Sequence, residues 1–288
     1  MTKKILFSLL ALLAVQAVAG NKLNLMDSLT SLRHIERERI LEFTLTPEGV
    51  EEVLLMKDGD RLYWRHALNL MWPVSVNGRS SKVLESALAR MLGDETTSLD
   101  QLLKQFDEAV PNFELKPSQI KQIKSIGTLP DIISSLISYD VCSLSMVDAD
   151  GSLYVFRVGN SSYGSGAFHG MYGCNYVNYF APSDKVLELS DLVRVADHDA
   201  LSRVVTQALM NKECVTTVEQ LCTDKGYFID DLVPLSDVFY CSDHCLHFVY
   251  QPYEIACFAA GIIDIEVWDY LLEDAGLLTP LGKRVLTK

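Results

Sequence analysis

The residues best suited to chemistry lie in one short segment, 241–247, where cysteine and histidine are dense. Its members are Cys241, Asp243, His244, Cys245 and His247. Thiolates and imidazoles are ligands that zinc prefers, but this spacing matches no common zinc finger. Asp243 and His244 stand where a hairpin turn is needed, and in a secreted protein Cys241 and Cys245 could instead form a disulfide. We therefore expect no metal here.

A Cys-dependent enzyme would need a reactive thiol, a histidine and a third group that orients the histidine. The chain contains seven cysteines and six histidines, but no motif in the sequence places a cysteine, a histidine and an orienting group together. The sequence contains no Gly-x-Ser-x-Gly elbow, no His-Glu-x-x-His motif and no Walker-type loop. We therefore expect a protein without catalytic residues or cofactors, and keep a cell-wall-active or Cys-dependent enzyme as the alternative.

His169 is the most interesting single candidate for a binding residue. It follows a Gly/Ser-rich stretch, 161–166, and leads into a segment that contains Tyr172, Tyr176 and Tyr179. A histidine at this place either shapes the entry of a strand by hydrogen bonding or lies at a groove lined by aromatic rings. The structural interpretation weighs more, because the sequence shows no partner residue for His169.

The hydrophobic pattern predicts helices followed by hairpin strands, which is the α+β class and not a parallel βαβ fold. Thr97 with Asp100 predicts a capping box, and Asp58-Gly59-Asp60 predicts a hairpin turn. Strands are expected at 42–45, 53–55, 62–64, 68–76, 133–147, 153–159, 172–180, 237–241, 246–251 and 262–268. Helices are expected at 83–91, 97–106, 197–209, 217–222 and 269–272.

The first nineteen residues have the pattern of a secretory signal peptide. Lys3 and Lys4 precede an apolar run at 5–15, and Ala17-Val18-Ala19 has the form of a cleavage site. The run is shorter than the ~20 residues that a membrane span needs. No later stretch approaches that length, so we expect no membrane span after cleavage and a periplasmic or secreted location.

The charge balance is acidic, with 25 Lys and Arg against 38 Asp and Glu, or −13 over 288 residues. Cleavage would remove Lys3 and Lys4 and leave 23 basic against 38 acidic residues, or −15. Nucleic acid is not expected as a partner, because phosphate contacts need a basic surface. An acidic chain is attracted over long range to a basic partner.

All seven cysteines follow the predicted signal peptide, so most are expected to pair in an oxidising compartment. A disulfide between Cys214 and Cys222 could hold one short helix in place. An odd number leaves at least one thiol free or paired between chains. An assembly protein that works through an intermolecular disulfide is therefore a third possible class.

Three segments of the last third carry a family resemblance: FYCSDHCL at 239–246, FVYQPYEIA at 248–256 and FAAG at 258–261. Upstream, GSGAFHG at 164–170, NYF at 178–180 and LELSDL at 187–192 carry a second one. The first set resembles the C-terminal domain of the RsiV-like family, a domain of unknown function, and the second resembles its companion N-terminal domain. Phe168, Cys245 and Cys257 depart from the family pattern, and the two cysteines suggest an added disulfide.

The resemblance implies two companion domains, at 66–190 and 191–288, each with helices packed on a mainly antiparallel sheet. The signal peptide at 1–19 and an N-terminal extension at 20–65 precede them. In a lysozyme-sensing anti-sigma factor and in a peptidoglycan deacetylase, this domain pair is similar to a binding module at the cell wall.

No counterpart of the deacetylase's catalytic domain or of a sigma-binding segment is expected in this chain. We therefore expect a non-enzymatic cell-envelope module that binds lysozyme or peptidoglycan. The predicted binding residues are His169, Tyr172, Tyr253 and Glu254.

Overall fold

The computed structural model describes residues 30–45, 50–53, 61–109, 138–164 and 167–287. These residues form an α+β protein, as the sequence predicts. We call residues 30–186 the N-terminal unit and residues 189–287 the C-terminal unit. The predicted signal peptide and the turn at 58–60 lie outside the described residues.

A seven-stranded sheet with the order β2-β1-β3-β4-β5-β6-β7 forms the N-terminal unit. Its pairs are antiparallel except for β3 with β4, which run parallel. The elements are β1 (Thr30–Leu45), β2 (Val50–Val53), β3 (Arg61–Val76), α1 (Lys82–Leu92), α2 (Leu99–Glu108), β4 (Ser138–Ala149), β5 (Leu153–Tyr163), β6 (Met171–Phe180) and β7 (Lys185–Val186).

The C-terminal unit packs helices on a three-stranded antiparallel sheet with the order β10-β9-β8. Its last helix, α7, was not predicted from the sequence. The elements are α3 (Leu189–Leu192), α4 (His198–Glu213), α5 (Val218–Thr223), β8 (Phe239–Ser242), β9 (Cys245–Tyr250), β10 (Ile263–Trp268), α6 (Asp269–Asp274) and α7 (Pro280–Leu286).

The long β1 strand pairs with β3 from Thr30 to Thr44, so both belong to the large sheet. Residue 65 lies inside β3. The predicted division at residue 65 therefore does not separate two structural units, because the ladder of backbone hydrogen bonds continues across it.

The capping box predicted at Thr97 is displaced by one residue. The hydroxyl of Ser98 caps α2 by accepting from the Gln101 N–H at 3.3 Å. Thr97 instead donates its N–H and hydroxyl to the Gln101 side chain, at 2.8 and 2.9 Å. The helix begins at Leu99, since this start places Leu102 on the buried face.

Strand β5 contributes to two hydrophobic cores because its side chains alternate between the faces of the large sheet. Tyr154 and Phe156 pack in a core with α1 and α2. Leu153 and Val155 pack in the core of the C-terminal unit. The large sheet is therefore covered on both faces at the start of β5, which explains why residues 153–156 are continuously apolar.

Two amide side chains join the units by bonding to the backbone of the opposite unit. Asn178 of β6, which is 1% exposed, donates to the Phe239 carbonyl and accepts from the Cys241 N–H, both at 3.0 Å. Gln251, just after β9, accepts from the Cys174 N–H at 3.0 Å and donates to the Cys174 carbonyl at 2.9 Å. Each amide reproduces the donor and acceptor of a neighbouring strand, so the units are held in one register.

Candidate functional site

Three of the four predicted site residues meet where the end of the β5–β6 hairpin contacts the loop after β9. The Nε2 atom of His169 lies 3.1 Å from the hydroxyl oxygen of Tyr253. The rings of His169 and Phe258 stack with centroids 4.0 Å apart, and Tyr172 meets Phe258 edge-on at 5.5 Å. We call His169, Tyr172, Tyr253 and Phe258 the aromatic platform.

A tight turn at residues 251–254 places Tyr253 on the platform. The turn closes through a hydrogen bond from the Glu254 N–H to the Gln251 carbonyl at 3.1 Å, with Pro252 in its second position. Tyr253 has a φ of 74°, the left-handed conformation that glycine favours at the third position of a type II turn. A bulky residue in this conformation costs about 1 kcal/mol or more.

Glu254, the fourth predicted binding residue, lies in the same turn and is exposed. Its carboxylate accepts from the Gln251 N–H at 2.7 Å and so closes the same turn from its other side. Because this bond directs the carboxylate back to its own turn, Glu254 does not contact the rings of the platform through any described interaction.

The turn is attached to the large sheet by Gln251, whose amide bonds to both backbone groups of Cys174. Gly173 makes this approach possible, since a Cβ at that position would lie 2.8 Å from the Gln251 side-chain oxygen. The turn that carries Tyr253 is thus fixed to strand β6 of the N-terminal unit.

The platform is an open surface with large exposed side chains. Tyr172 is 38% exposed, Tyr253 is 53% exposed, and Phe168 beside His169 is fully exposed. The N–H of Phe228, another residue with an exposed ring, donates to the Ile255 carbonyl at 2.7 Å, next to the 251–254 turn. An exposed apolar patch of this kind is typical of an interaction site.

The sequence did not single out Phe258 and Gln251, although both are needed to build the site. Phe258 lies at the centre of the platform and contacts three of its rings. Both residues stand in the segment that carries the family resemblance, which was the available signal. Their roles depend on contacts with β6, about eighty residues earlier in the chain.

The Cys/His segment at 241–247 forms the β8–β9 hairpin. Asp243 and His244 both have positive φ, 48° and 65°, as a two-residue hairpin turn of type I′ requires. Cys241 pairs with Leu246 across the ladder, whereas Cys245 pairs with Ser242. The two cysteines therefore face opposite sides of the hairpin, and the Cys241–Cys245 disulfide that the sequence left open is not formed.

All seven cysteines carry free thiols in this structure, including Cys214, Cys222 and Cys257. Burial raises the pKa of Cys142 to about 11 and that of Cys245 to about 12, and it raises the pKa of Cys241 further. These three thiols are therefore protonated at neutral pH. Among the described residues, no three His, Cys, Asp or Glu side chains lie close enough to hold a metal ion.

A second group of stacked rings lies between the units. Tyr176 stacks on Tyr240 at 4.3 Å, and Tyr240 stacks on His247 at 4.1 Å. Asp264 accepts from the Tyr240 hydroxyl at 2.7 Å and lies 3.0 Å from Nδ1 of His247. Burial, together with the hydrogen bond to Asp264, raises the pKa of Tyr240, while burial with Cys174 nearby raises that of Tyr176 to about 12.

Asp264 links the stability of this group to pH. Its burial works to raise its pKa, but the hydrogen bonds from His247 and Tyr240 outweigh this and hold the pKa below its usual value. A carboxylate with a depressed pKa contributes stability above its ordinary pKa of about 4, and this contribution disappears as pH falls through the folded-state value.

We expect Asp264→Asn to lower the free energy of unfolding at pH 7 by about 1–3 kcal/mol, with the difference from wild type shrinking towards pH 3. Urea unfolding at both pH values measures it. Asp199→Asn is the control, because Asp199 is 81% exposed. A difference for Asp264→Asn that stays constant with pH would contradict this assignment.

No helix of the described part of the chain is long and apolar enough to cross a membrane.

Residues 190–268 match the model of a protein family of unknown function, DUF3298. This matched segment runs from α3 to the end of β10 and therefore supplies Tyr253 and Phe258, whereas His169 and Tyr172 come from outside it.

Two crystal structures of DUF3298 family proteins are similar to this chain. One, from Bacteroides fragilis, has a TM-score of 0.67 at 19% identity and covers 90% of this chain and 99% of that one. The other, from Pseudomonas aeruginosa, has a TM-score of 0.55 at 14% identity and covers 88% and 96%. At these identities the likeness concerns the fold alone. Comparison with curated protein sequences finds no match.

Proposed function

We propose that this protein is a non-enzymatic binding module of the cell envelope, secreted or periplasmic, and that the aromatic platform contacts its partner. The observation that supports this most directly is Tyr253. A tyrosine occupies a backbone position that favours glycine, and its ring remains 53% exposed. Folding gains little from such an arrangement, so a role in recognition accounts for it.

The charges around the platform suit a basic partner. Asp230 and Asp231 are exposed and follow Phe228, whose backbone bonds to the 251–255 loop. The net charge is −13 for the chain, and −15 if residues 1–19 are removed. Complementary charge increases the rate of encounter and selects the partner. A lysozyme is the basic protein that we propose, in line with the resemblance to the RsiV-like family.

Peptidoglycan is the second candidate partner, because exposed aromatic rings also stack on sugar rings. A pull-down with purified sacculi separates it from the protein partner. A Cys-dependent enzyme that uses Cys142, Cys241 or Cys245 has less support, since burial raises the pKa of these thiols and keeps them protonated.

Titration with hen lysozyme at low and at high salt tests the proposal. We expect saturable binding at low salt that weakens as salt screens the charges. We expect Tyr253→Gly to weaken this binding about tenfold or more, equivalent to the ~1.4 kcal/mol of one lost aromatic contact. The same variant should fold as well as wild type, because glycine relieves the left-handed strain.

The exposed Tyr270, which is outside the platform, provides the matched control as Tyr270→Ala. It should bind lysozyme as wild type does. Absence of binding at low salt contradicts the lysozyme proposal. Binding that Tyr253→Gly leaves unchanged places the contact away from the aromatic platform.

A further inference from the structure

The outer edge of the C-terminal sheet has a backbone that no described strand covers. The N–H of Val249 donates to Val238 at 2.9 Å, on the side of β8. Its ladder partner Asp264 must therefore turn its own N–H and carbonyl away from β9. By the alternation of a strand, Glu266 and Trp268 also direct their backbone groups outward.

Two cavities follow this edge and meet at Lys212. One, of about 380 Å³, is lined by side chains that include Asn211, Lys212, Glu266, Trp268 and Tyr270. The other, of about 330 Å³, continues past Lys212 to Lys225 and Tyr227. We call the two cavities together the β10 groove, and Lys212 lies between its two parts with its ammonium bonded to the Asp264 carbonyl.

The lining of the β10 groove combines aromatic rings with hydrogen-bonding groups of both kinds. Trp268 is 44% exposed and Tyr270 is 55% exposed, at the junction of β10 and α6. Asn211 and Lys212 supply N–H donors, and the exposed Glu266 supplies an acceptor. Sugar rings present C–H faces that stack on aromatic rings and hydroxyls that both donate and accept.

We propose that the β10 groove binds a neutral, linear saccharide, with a sugar ring stacked on Trp268 and its hydroxyls bonded to Asn211, Lys212 and Glu266. Neutrality follows from the lining, because Lys212 and Lys225 balance Glu213 and Glu266 in charge. The two cavities lie one after the other along β10, which suits a linear chain. This site is separate from the aromatic platform, so it adds to the proposed function and does not depend on it.

The competing occupant is an extended peptide that would add to the sheet as a further strand. Two features of the edge disfavour such pairing. The ammonium of Lys212 donates to the Asp264 carbonyl at 2.5 Å, at one of the backbone groups that an added strand would use. Acidic side chains at Asp264 and Glu266 line the strand, and charges on an edge strand discourage pairing. A saccharide needs no such pairing and leaves the Lys212 contact intact.

Tryptophan fluorescence can report on this groove directly. The chain has three tryptophans, and Trp64 and Trp72 are 8% and 4% exposed, against 44% for Trp268. Iodide in the solvent should therefore quench mainly Trp268. We expect cellotetraose or chitotetraose to shift the emission saturably at millimolar concentration and to lower the quenching by iodide about twofold or more.

Variants at the groove and at the platform locate the binding. Trp268→Phe should remove most iodide quenching, which verifies the reporter. Tyr270→Ala should weaken tetrasaccharide binding about tenfold, as calorimetry measures it, whereas Tyr253→Gly should leave it unchanged. Far-UV circular dichroism of both variants verifies that they fold.

Three results would overturn the proposal. One is no saturable change with either tetrasaccharide at millimolar concentration. Another is tetrasaccharide binding that Tyr253→Gly abolishes and Tyr270→Ala does not. The third is protection of Trp268 by an unstructured pentapeptide but not by sugars, which would assign the edge to strand addition. The lysozyme titration is a separate measurement, so an absence of lysozyme binding does not decide whether the β10 groove binds a saccharide.

Discussion

Replacing Asn178 with leucine is expected to lower the free energy of unfolding by about 2–5 kcal/mol. The side chain is 1% exposed and serves the Phe239 carbonyl and the Cys241 N–H at once. Leucine fills a similar volume but leaves both backbone groups buried without a partner, and each such loss costs about 1–3 kcal/mol. Chemical denaturation at neutral pH measures the change.

Asn178→Asp sharpens this test, because it keeps the shape and changes one donor into an acceptor. At neutral pH its carboxylate would face the Phe239 carbonyl, and the variant should be destabilised. At acidic pH the protonated carboxyl can again donate, so the deficit relative to wild type should shrink. Asn175→Leu, at an exposed position on the same strand, is the control with an expected effect within about 0.5 kcal/mol. Equal effects at Asn175 and Asn178 would refute the bridging role.

Gly282→Ala is expected to destabilise the protein by about 1–3 kcal/mol, although alanine is the better helix former. A Cβ at Gly282 would lie 2.0 Å from the carbonyl oxygen of Leu192 and 2.9 Å from its carbonyl carbon. The obstruction is backbone, and it is fixed because the same carbonyl accepts from the Thr279 N–H at 3.0 Å. Helix α7 must therefore move away from α3 to admit one methyl group.

Thermal and urea unfolding of Gly282→Ala measure this effect, with Gly164→Ala as the control. A Cβ at Gly164 would meet nothing within 4 Å, and its backbone is not left-handed. That control should be neutral or slightly stabilising, since alanine reduces the freedom of the unfolded chain. A stabilised Gly282→Ala would mean that helix propensity outweighs the contact with Leu192.

Local patterns in the sequence predicted the elements well. The alternation at 68–76 and 172–180 corresponds to β3 and β6, and the helical spacing at 83–91 corresponds to α1. The turn at Asp150 and Gly151 is also local, because the Asp150 carboxylate accepts from the Leu153 N–H three residues away. Such features need only neighbouring residues, so the sequence contains their causes.

The candidate site was predictable only in part. The sequence pointed to His169, Tyr172 and Tyr253, which the structure brings together, but not to Phe258, which packs among them. It gave no sign that the Glu254 carboxylate closes its own turn. It also left open a Cys241–Cys245 disulfide, which the alternation of the hairpin prevents. In each case the missing information was the direction in which a side chain points.

The sequence by itself determined the α+β class, most strands and helices, and the acidic charge, since these depend on composition and short-range periodicity. Only the tertiary structure decided which residues act together. His169 and Tyr253 are 84 positions apart, and Asn178 reaches its partner Cys241 across 63. Contacts at such separations arise from the packing of two units on one sheet, and no local pattern specifies which of many polar or aromatic residues will meet.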